Sequence, residues 1–562
     1  MAGYIKTFSF LLLWIIACPV LPLFSQVVVW TQQWDSSVND YGMDIAVDRD
    51  FNVYLAAQKS NSPIDDAFIM KYNVSGTLIW TQQYAGTGDD TAECITLDEA
   101  GVIYVGGRKN ARHFLKKIDP SGNTVWTQSY AGANTIFDIA VDANKSVYVT
   151  GEKNNGSNMD YFTVKYDSLA NSIWSQQYNA TDDGNGDHAL GIVVDPDGNV
   201  YITGYVYNGL SELWDFFTIK YSPGGSTIWT QVYDSGNGSD GAWSIALDSE
   251  KNVYVTGYRA NGLNSDYFLV KYDAGGNTVW TQIFDKGVQD QPQAITVDTY
   301  DNIYVTGVIH NGIDRDFFTV KYDPSGNTIW TQQYGSGNGD HVANGIAVDH
   351  EHNVYVTGYK DRGGPNYDIF TVKYQQPPYT PSLASASFTS KHSIRLSWPD
   401  AVNENEYLVY RSTDSNAFTL VGTLPKNTTS FADSQSIDPA LKYFYRLETT
   451  NAAGRSVPSN IMTARSWFSD TLHNVVVGPN PFKPHEQHQD FVTFYNLTEE
   501  FELSVYDMSG NKVASIISVS PDGRFSWHPR NSEGKYLDSG IYICYIKDTN
   551  GHEKKLKLMI IR

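Results

Sequence analysis

A unit of about 50 residues recurs seven times between residues 26 and 374, and it constrains the fold more than any other feature of the sequence. In each copy a Trp is followed by a polar segment similar to Thr-Gln-Gln-Tyr. Repeats of this length are typical of architectures in which each unit buries its faces against its neighbours. The seven Trp landmarks are Trp30, Trp80, Trp126, Trp174, Trp229, Trp280 and Trp330.

Each unit contains four short segments that are rich in Val, Ile, Tyr, Phe and Thr and are bounded by Gly, Asn, Asp or Pro. Segments of this composition and length are typical of β-strands and leave no room for a helix. The links Asp195–Asn199 and Asp323–Asn327 carry the residues of tight hairpin turns, because Pro fixes φ and Gly supplies a positive φ. Each unit is therefore predicted to be a four-stranded antiparallel meander.

The order of the segments at the two ends of the array predicts how it closes. The array begins with a lone Trp-type strand and ends without one, so we expect residues 27–34 to form the outer strand of a sheet whose other three strands come from residues 346–374. Seven sheets arranged radially bury both of their faces and leave only short edges, as in a β-propeller. The motifs resemble the SBBP family, the bacterial β-propeller repeat, over about 350 residues. That resemblance implies a seven-bladed β-propeller at residues 26–375 and no defined activity.

The repeat stops at a Pro-containing linker, Gln375–Pro378. Residues 376–466 resemble a fibronectin type III domain, in which a core Trp lies on an early strand and a Tyr hydroxyl ties down a corner. Trp398 and Tyr443 stand where those two residues are expected. This domain is expected to act as a spacer.

The last part of the chain, residues 467–562, contains the motifs Pro479–Phe482 and Leu537–Tyr542. It resembles the C-terminal sorting domain of type IX secretion cargo, and equally the immunoglobulin-like domain of the flagellar hook-capping protein. The first resemblance implies the type IX secretion machinery of a Bacteroidetes-like bacterium as a partner, and cleavage of the domain stays open. The predicted fold class is all-β, a seven-bladed β-propeller followed by two β-sandwich (Ig-like) domains.

Residues 1–25 are predicted to be an export signal with a positive end at Lys6, an apolar run, and cleavage after Ser25. A competing interpretation takes the residues around Cys18 as a lipobox, which would leave that Cys lipidated and the protein anchored to a membrane. Both interpretations place the protein outside the cell or on the outer-membrane surface of a bacterium. No later apolar stretch reaches the about 20 residues of a membrane span, so no transmembrane segment is expected after the signal.

The formal net charge of −22 argues against nucleic acid as a partner, because phosphate backbones would be repelled. Without Cys18, the chain has Cys94 and Cys544, which lie in different predicted units. No disulfide framework is therefore expected.

The connections between units are rich in Gly and acidic residues, and in a propeller they share one face. Two aromatic residues stand outside the repeat pattern in the longest loop of this face, and they are candidates for ligand contact together with nearby Asp and His residues. The two His residues have no metal-ligand spacing, so they are expected to be solvated loop residues. The candidate ligand-binding residues are Tyr207, Trp214, Asp187, His188, Asp340 and His341.

An Asp recurs shortly before the innermost strand of the units, and a closed ring would place these side chains around its axis. Three roles are open: holding Ca²⁺ with several carboxylate oxygens, supplying paired acids for glycoside hydrolysis, or accepting backbone N–H bonds at the start of the strand. The regular repetition argues against catalysis, because an active site needs one differentiated set of residues. No cofactor is required, and Ca²⁺ is the candidate ion. The candidate metal ligands are Asp40, Asp90, Asp187, Asp240, Asp290 and Asp340.

The sequence thus indicates an exported bacterial cell-surface or extracellular protein that presents a propeller for glycan or protein recognition, without catalytic residues. Two alternatives stay open. One is a polysaccharide-directed hydrolase or lyase that uses carboxylates on the same face. The other is a purely structural protein of surface assembly.

Overall fold

The computed structural model describes most of the chain from residue 26 onward, and it is built from β-strands. One short 3-10 helix spans Leu472–Asn474. The predicted export signal, with Lys6, Cys18 and Ser25, lies outside the described residues. Those residues are 26–61, 64–84, 88–109, 112–129, 133–180, 185–208, 213–262, 264–286, 289–310, 312–335, 339–361, 366–390, 392–439, 441–465, 472–484, 490–520 and 522–562.

Residues 27–375 form seven four-stranded antiparallel sheets, which we number from the amino terminus by their first complete hairpins. Sheet 1 consists of Asn39–Val47, Val53–Asn61, Ile64–Tyr72 and Leu78–Tyr84; sheet 2 of Asp90–Leu97, Ile103–Lys109, Arg112–Ile118 and Thr124–Ser129; sheet 3 of Ala133–Val141, Val147–Asn154, Met159–Tyr166 and Ser172–Tyr178; sheet 4 of His188–Val194, Val200–Asn208, Leu213–Tyr221 and Thr227–Tyr233. Sheet 5 consists of Gly241–Leu247, Val253–Ala260, Ser265–Tyr272 and Thr278–Phe284; sheet 6 of Asp290–Val297, Ile303–His310, Arg315–Tyr322 and Thr328–Tyr334; sheet 7 of His341–Val348, Val354–Asp361, Tyr367–Gln375 and the amino-terminal Val27–Trp34.

The first strands of neighbouring sheets contact each other all the way around, and the contact between sheets 7 and 1 completes the circle. The first strands are therefore innermost, and the seven sheets form a ring. Val27–Trp34 pairs antiparallel with Tyr367–Gln375, so the predicted pairing of the two ends of the array is confirmed. The innermost strand of sheet 7 begins at His341, earlier than the predicted start at residue 346.

The apolar cores lie between the sheets. In one cluster Tyr355 and Ile369 of sheet 7 pack with Ile45, Leu55 and Phe68 of sheet 1, and removal of this apolar surface from water favours the ring. In each of the seven sheets the second strand carries a Tyr with a relative exposure of 0%. Its hydroxyl donates over 2.8–3.5 Å to the Asp that directly follows the first strand of the same sheet. A buried Tyr hydroxyl needs such an acceptor. The pairs are Tyr54–Asp48, Tyr104–Asp98, Tyr148–Asp142, Tyr201–Asp195, Tyr254–Asp248, Tyr304–Asp298 and Tyr355–Asp349.

A repeated polar contact ties outer strands to the following sheet. Nε1 of Trp30 donates to the carbonyl of Val74, in the turn between the third and fourth strands of sheet 1, over 3.1 Å. Between sheets 4 and 5, Nε1 of Trp229 and Nζ of Lys220 both donate to the carbonyl of Ala274, over 3.3 and 3.1 Å. The Trp residues therefore belong to the packing between sheets, as the repetition of the motif indicates.

After the ring, a middle unit contains two sheets. One has Ser385–Ser390, Ser393–Ser397 and Ser430–Asp433; the other has Glu406–Ser412, Thr419–Pro425, Lys442–Asn451, Gly454–Arg455 and Met462–Arg465. A single apolar cluster that includes Trp398, Tyr407 and Tyr445 lies between them. The hydroxyl of Tyr443 accepts the backbone N–H of Asp438 over 2.8 Å, so this Tyr holds a corner of the chain.

A C-terminal unit also has two sheets around one core. The first contains Val476–Gly478, Val492–Tyr495 and Arg524–Trp527; the second contains Glu500–Tyr506, Lys512–Val519, Gly540–Asp548 and Glu553–Ile560. Phe494, Leu503 and Trp527 belong to the core between them. Cys544 of this core and Cys94 of the ring are both buried free thiols. Within the described chain, no helix has the length and apolarity to cross a membrane.

Candidate functional site

The strand order places three features on one face of the ring: the starts of the innermost strands, the hairpins between second and third strands, and the links between sheets. We call this the loop face. The first and third hairpins of the sheets lie on the opposite turn face. Every candidate residue from the sequence is on the loop face.

Four of the six candidate Asp residues close their own loops. Asp187 accepts the backbone N–H groups of Ala180 at 2.6 Å and Tyr207 at 2.9 Å, which joins the loop to the end of the second strand. Asp240 accepts those of Ser235 at 2.6 Å and Ala260 at 2.8 Å in the same way. Burial raises the pKa of these carboxyls, and the hydrogen bonds partly oppose it. The other two are Asp40, bonded to Ser36, and Asp290, bonded to Lys286.

Asp340 binds across a sheet boundary instead. Its carboxylate accepts the backbone N–H of Arg315 at 3.1 Å and Nη2 of the same residue at 2.6 Å, and this Arg holds the pKa of the carboxyl below its usual range. Asp90 is buried and is the first residue of the innermost strand of sheet 2.

The structure does not bring the six predicted metal ligands together. Among the described residues, the one group whose acidic oxygens lie within 4.8 Å of one another contains Asp35, Asp40 and Asp368, so five of the predicted ligands are outside it. The physical reason is that five of the six carboxylates, all except that of Asp90, accept backbone N–H groups of their own loop or a neighbouring strand. This is the local role that the sequence left open.

Tyr207 and Trp214 do not lie in a loop. The strands Val200–Asn208 and Leu213–Tyr221 continue far enough to pair the two residues directly, with ring centroids 5.6 Å apart. Aromatic and β-branched residues favour this extension of the hairpin. Tyr207 is buried and Trp214 keeps partial exposure, with its Nε1 donating to the carbonyl of Gly186 at 3.1 Å.

The prediction of solvated histidines is wrong for both residues. His188 begins the innermost strand of sheet 4 and is partly buried, with Nδ1 2.5 Å from Oε1 of Glu152 in sheet 3. His341 has 0% exposure, and its Nδ1 is 2.9 Å from the carbonyl oxygen of Gly339. Both residues begin an innermost strand, where a side chain of the preceding sheet lies beside them: Glu152 of sheet 3 beside His188, and Tyr334 of sheet 6 beside His341.

Two positions in the ring break the regularity of the repeat. The first position comes directly after a Gly in the second strand of each sheet, or after Ala57 in sheet 1. Six of the seven residues at this position are partly exposed. The second is the bulged residue of the innermost strand, and all seven of its residues are partly exposed. The first set is Gln58, Arg108, Glu152, Tyr205, Tyr258, Val308 and Tyr359; the second is Met43, Glu93, Phe137, Leu190, Trp243, Gln293 and Asn344. Their chemical diversity within an otherwise uniform repeat was visible in the sequence and marks differentiated sites that the motif search missed.

One cluster of these residues spans sheets 3 to 5, and we call it the His188 cluster: Glu152, His188, Tyr205, Trp214 and Tyr258. The ring of Tyr205 is 4.7 Å from that of His188 and 6.4 Å from that of Trp214. Burial, with Tyr258 and Glu152 nearby, raises the pKa of Tyr205 to about 12. The cluster therefore offers aromatic faces beside a His–Glu pair.

A second cluster lies where sheets 6, 7 and 1 meet, and we call it the Tyr359 cluster: Tyr41, Tyr359, Tyr367, Arg315 and Asp340. The ring of Tyr359 is 5.0 Å from Tyr41 and 5.1 Å from Tyr367. Burial raises the pKa of Tyr359, and a hydrogen bond from Arg315 to its hydroxyl opposes this. This cluster again joins aromatic faces to a charged pair, Arg315–Asp340.

Two further acids, which the sequence did not single out, act as clamps near the axis. Oδ2 of Asp44 in sheet 1 accepts the backbone N–H of Ile95 in sheet 2 over 2.8 Å, and Oδ2 of Asp138 in sheet 3 accepts that of Ile192 in sheet 4 over 2.8 Å. Desolvation raises the pKa of Asp44 to about 6 and, with Asp44 nearby, that of Asp138 to about 8.

Comparison with known proteins agrees with this architecture. The family model SBBP, a β-propeller repeat, matches residues 279–314 and 329–359. No curated protein matches the chain. These two segments of the ring are therefore similar to a β-propeller repeat.

Solved structures with resemblance to the chain include three that cover a large part of it. The β-propeller domain of the Trilobed protease from Pyrococcus furiosus is 10% identical, covering 61% of this chain and 96% of that one, with a TM-score of 0.40. Polysaccharide lyase Uly1 is 11% identical over 61% and 91% of the two chains, with a TM-score of 0.42. A protein of unknown function from Bacteroides caccae is 12% identical over 46% and 84%, with a TM-score of 0.32.

Proposed function

We propose that this protein is an exported bacterial cell-surface or extracellular binding protein, in which a seven-bladed β-propeller presents its loop face to a glycan. The observation that carries this proposal is the His188 cluster. In a ring of near-identical sheets, it gathers partly exposed aromatic and hydrogen-bonding groups from three neighbouring sheets.

The chemistry of the cluster favours a sugar. Tyr205 and Trp214 present flat, partly exposed rings against which the C–H face of a pyranose packs. Glu152 and His188 supply an acceptor and a ring nitrogen held in a fixed orientation, which suits the hydroxyl groups of a sugar. Ligand sites in proteins commonly combine such apolar walls with a few fixed polar groups.

The remaining parts of the chain fit display outside the cell. In this proposal residues 1–25 are the export signal, residues 376–466 a fibronectin type III-like domain, and residues 467–562 a sorting domain recognised by the type IX secretion machinery. The formal charge of −22 favours solubility and a partner other than nucleic acid.

A glycan array probed with the purified full chain tests the proposal. We expect binding to a restricted set of glycans, and Tyr205→Ala should weaken binding to the best of them about tenfold or more through loss of the stacking surface. Tyr536→Ala is the matched control, since Tyr536 is exposed in the C-terminal unit. Absence of any glycan signal would contradict the proposal and favour a purely structural role in surface assembly.

The His–Glu pair also gives a specific reason to keep a second candidate function, a polysaccharide-directed enzyme. Glu152 and His188 are able to move a proton, and their 2.5 Å contact orients the imidazole. Chromatography of the bound glycan after prolonged incubation separates the two candidates. Shortened products that disappear with Glu152→Gln would establish catalysis, whereas an unchanged glycan supports binding alone.

A further inference from the structure

Beside each sheet, the Trp and Lys side chains of the preceding sheet form a space, the turn slot, that receives the turn between the third and fourth strands. Beside sheet 7 a different segment fills this turn slot. The Trp and Lys side chains of one sheet hold the turn between the third and fourth strands of the next, as Trp229 and Lys220 hold Ala274. Sheet 7 has no such turn, because its fourth strand is Val27–Trp34 from the amino terminus. Trp330 and Lys321 of sheet 6 therefore face a different segment.

That segment is the start of the linker. Oε1 of Gln376 accepts Nζ of Lys321 at 2.7 Å and Nε1 of Trp330 at 3.3 Å, so one side-chain carbonyl replaces the backbone carbonyl of a turn. Gln376 is only 3% exposed, and its amide donates to the hydroxyl of Tyr304 at 2.9 Å. The first linker residue is thus bonded within the polar network of sheet 6.

Tyr379 makes the second attachment. Its hydroxyl donates to Oδ2 of Asp298 at 3.0 Å, and its ring stacks on Tyr300 at 4.4 Å. Although desolvation opposes ionisation of Asp298, hydrogen bonds from His352, Asn302 and Tyr304 and the charge of Lys321 hold its pKa below the usual range. The carboxylate of Asp298 therefore stays ionised, and the hydroxyl of Tyr379 bonds to a charged acceptor.

The middle unit also forms hydrogen bonds with Gln376, through the backbone carbonyl of that residue. The backbone carbonyl of Gln376 accepts Nδ2 of Asn403 and Nδ2 of Asn451, both at 2.8 Å. Lys426 of the middle unit also contacts Glu351 of sheet 7 at 2.6 Å.

We propose that Gln376–Tyr379 is a latch that occupies the seventh turn slot and fixes the middle unit to the turn face. The middle unit is then a rigid strut, and the spacer expected from the sequence is not a flexible one. Pro377 and Pro378 support this role, since each fixes its own φ and lowers the entropy cost of ordering the linker. Because the latch lies on the turn face, the loop face stays uncovered by the middle unit. The inference holds whatever ligand the loop face binds.

Small-angle X-ray scattering and hydrogen exchange on the full chain test the latch. Wild type should fit one fixed arrangement of ring and middle unit. The Gln376→Ala/Tyr379→Ala double variant should broaden the distance distribution. It should also speed exchange of the backbone amide at position 379 about tenfold or more, relative to the intrinsic rate of each sequence; in wild type this amide donates to the carbonyl of Val402. Gln128→Ala is the control, because Nε2 of Gln128 in sheet 2 donates to the carbonyl of Ala170 in a turn of sheet 3, a side-chain contact between sheets that is away from the linker.

Tyr379→Phe is a milder variant for the case in which the double variant does not fold. It keeps the aromatic ring on Tyr300 and removes the hydroxyl, which donates to Asp298 and accepts Nδ2 of Asn302 and Nζ of Lys321, both at 3.3 Å. Faster exchange at the linker is therefore expected without loss of the seven-sheet ring. Wild-type scattering that requires a mobile middle unit, or exchange as slow in both variants as in wild type, would overturn the latch.

Discussion

Nδ1 of His188 lies 2.5 Å from Oε1 of Glu152, and the two side chains come from different sheets. The pair therefore exists only when sheets 3 and 4 are packed against each other. It holds the imidazole beside the ring of Tyr205, at 4.7 Å between centroids, at the start of the innermost strand. This contact therefore brings Glu152, His188 and Tyr205, which are apart in the sequence, into one continuous surface.

Glu152→Gln should weaken glycan binding about tenfold, because the amide replaces one acceptor oxygen by a donor, removes the charge and weakens the contact that orients the imidazole. The melting temperature should change little, because both side chains are partly exposed. Titration calorimetry with the best array glycan measures the effect, and Glu250→Gln on the turn face is the control. Equal affinity in the variant and wild type would remove Glu152 from the site.

Asp138→Asn should flatten the pH dependence of stability. The pKa of Asp138 is raised to about 8 in the folded protein, so its contribution is complete below the unfolded value near 4 and is lost as the pH rises towards 8. Wild type should therefore lose about 3–4 kcal/mol from this group between pH 5 and pH 8. The variant should lose less, whatever its absolute stability. Urea unfolding across this range gives the slope, and Asp323→Asn in an exposed turn is the control.

Asp240→Ala should destabilise the ring by about 1–3 kcal/mol, since the N–H groups of Ser235 and Ala260 lose their acceptor. The loss should be the same with and without added Ca²⁺, because the carboxylate is engaged by backbone. Thermal melts with calcium and with chelator make the comparison. A destabilisation seen only with calcium present would show that this Asp serves as a metal ligand after all.

Deletion of Val27–Trp34 should abolish the cooperative unfolding of the ring. Tyr367–Gln375 would lose one of its two pairing partners, and Trp30 and Trp34 would leave the core between sheets 7 and 1. Calorimetry of the full chain should show a much lower and broader transition for the ring. Replacement of exposed Val28 and Val29 by Thr, with the strand kept, is the control.

The sheets and their closure could be predicted because every unit repeats the same strand lengths and turn residues. The pairing of Val27–Trp34 with the last strand of the array follows from counting strands, and the structure has this pairing. Residues such as Tyr54 and Asp48 recur because they meet the same local requirement in each sheet.

The site was predicted less well, because the motif search looked for residues outside the repeat. Tyr207 proved buried, and His188 proved paired with a residue 36 positions away in sequence. Glu152 and Tyr205 occupy a repeat position, and only their chemical difference from the other sheets marks them. The contacts of Gln376 were also not predicted, because the residues around Gln376 do not indicate that sheet 7 lacks a turn between its third and fourth strands.

The sequence by itself determined that residues 27–375 form a ring of four-stranded units, since strand periodicity and turn chemistry are local and repeat seven times. Only the tertiary structure decided which side chains meet across sheet boundaries. Those contacts, such as His188 with Glu152 and Gln376 with Trp330, depend on the packing of neighbouring sheets and on the slot left by the closing strand. Neither the packing of neighbouring sheets nor the position of the turn slot can be predicted from one segment of the sequence alone.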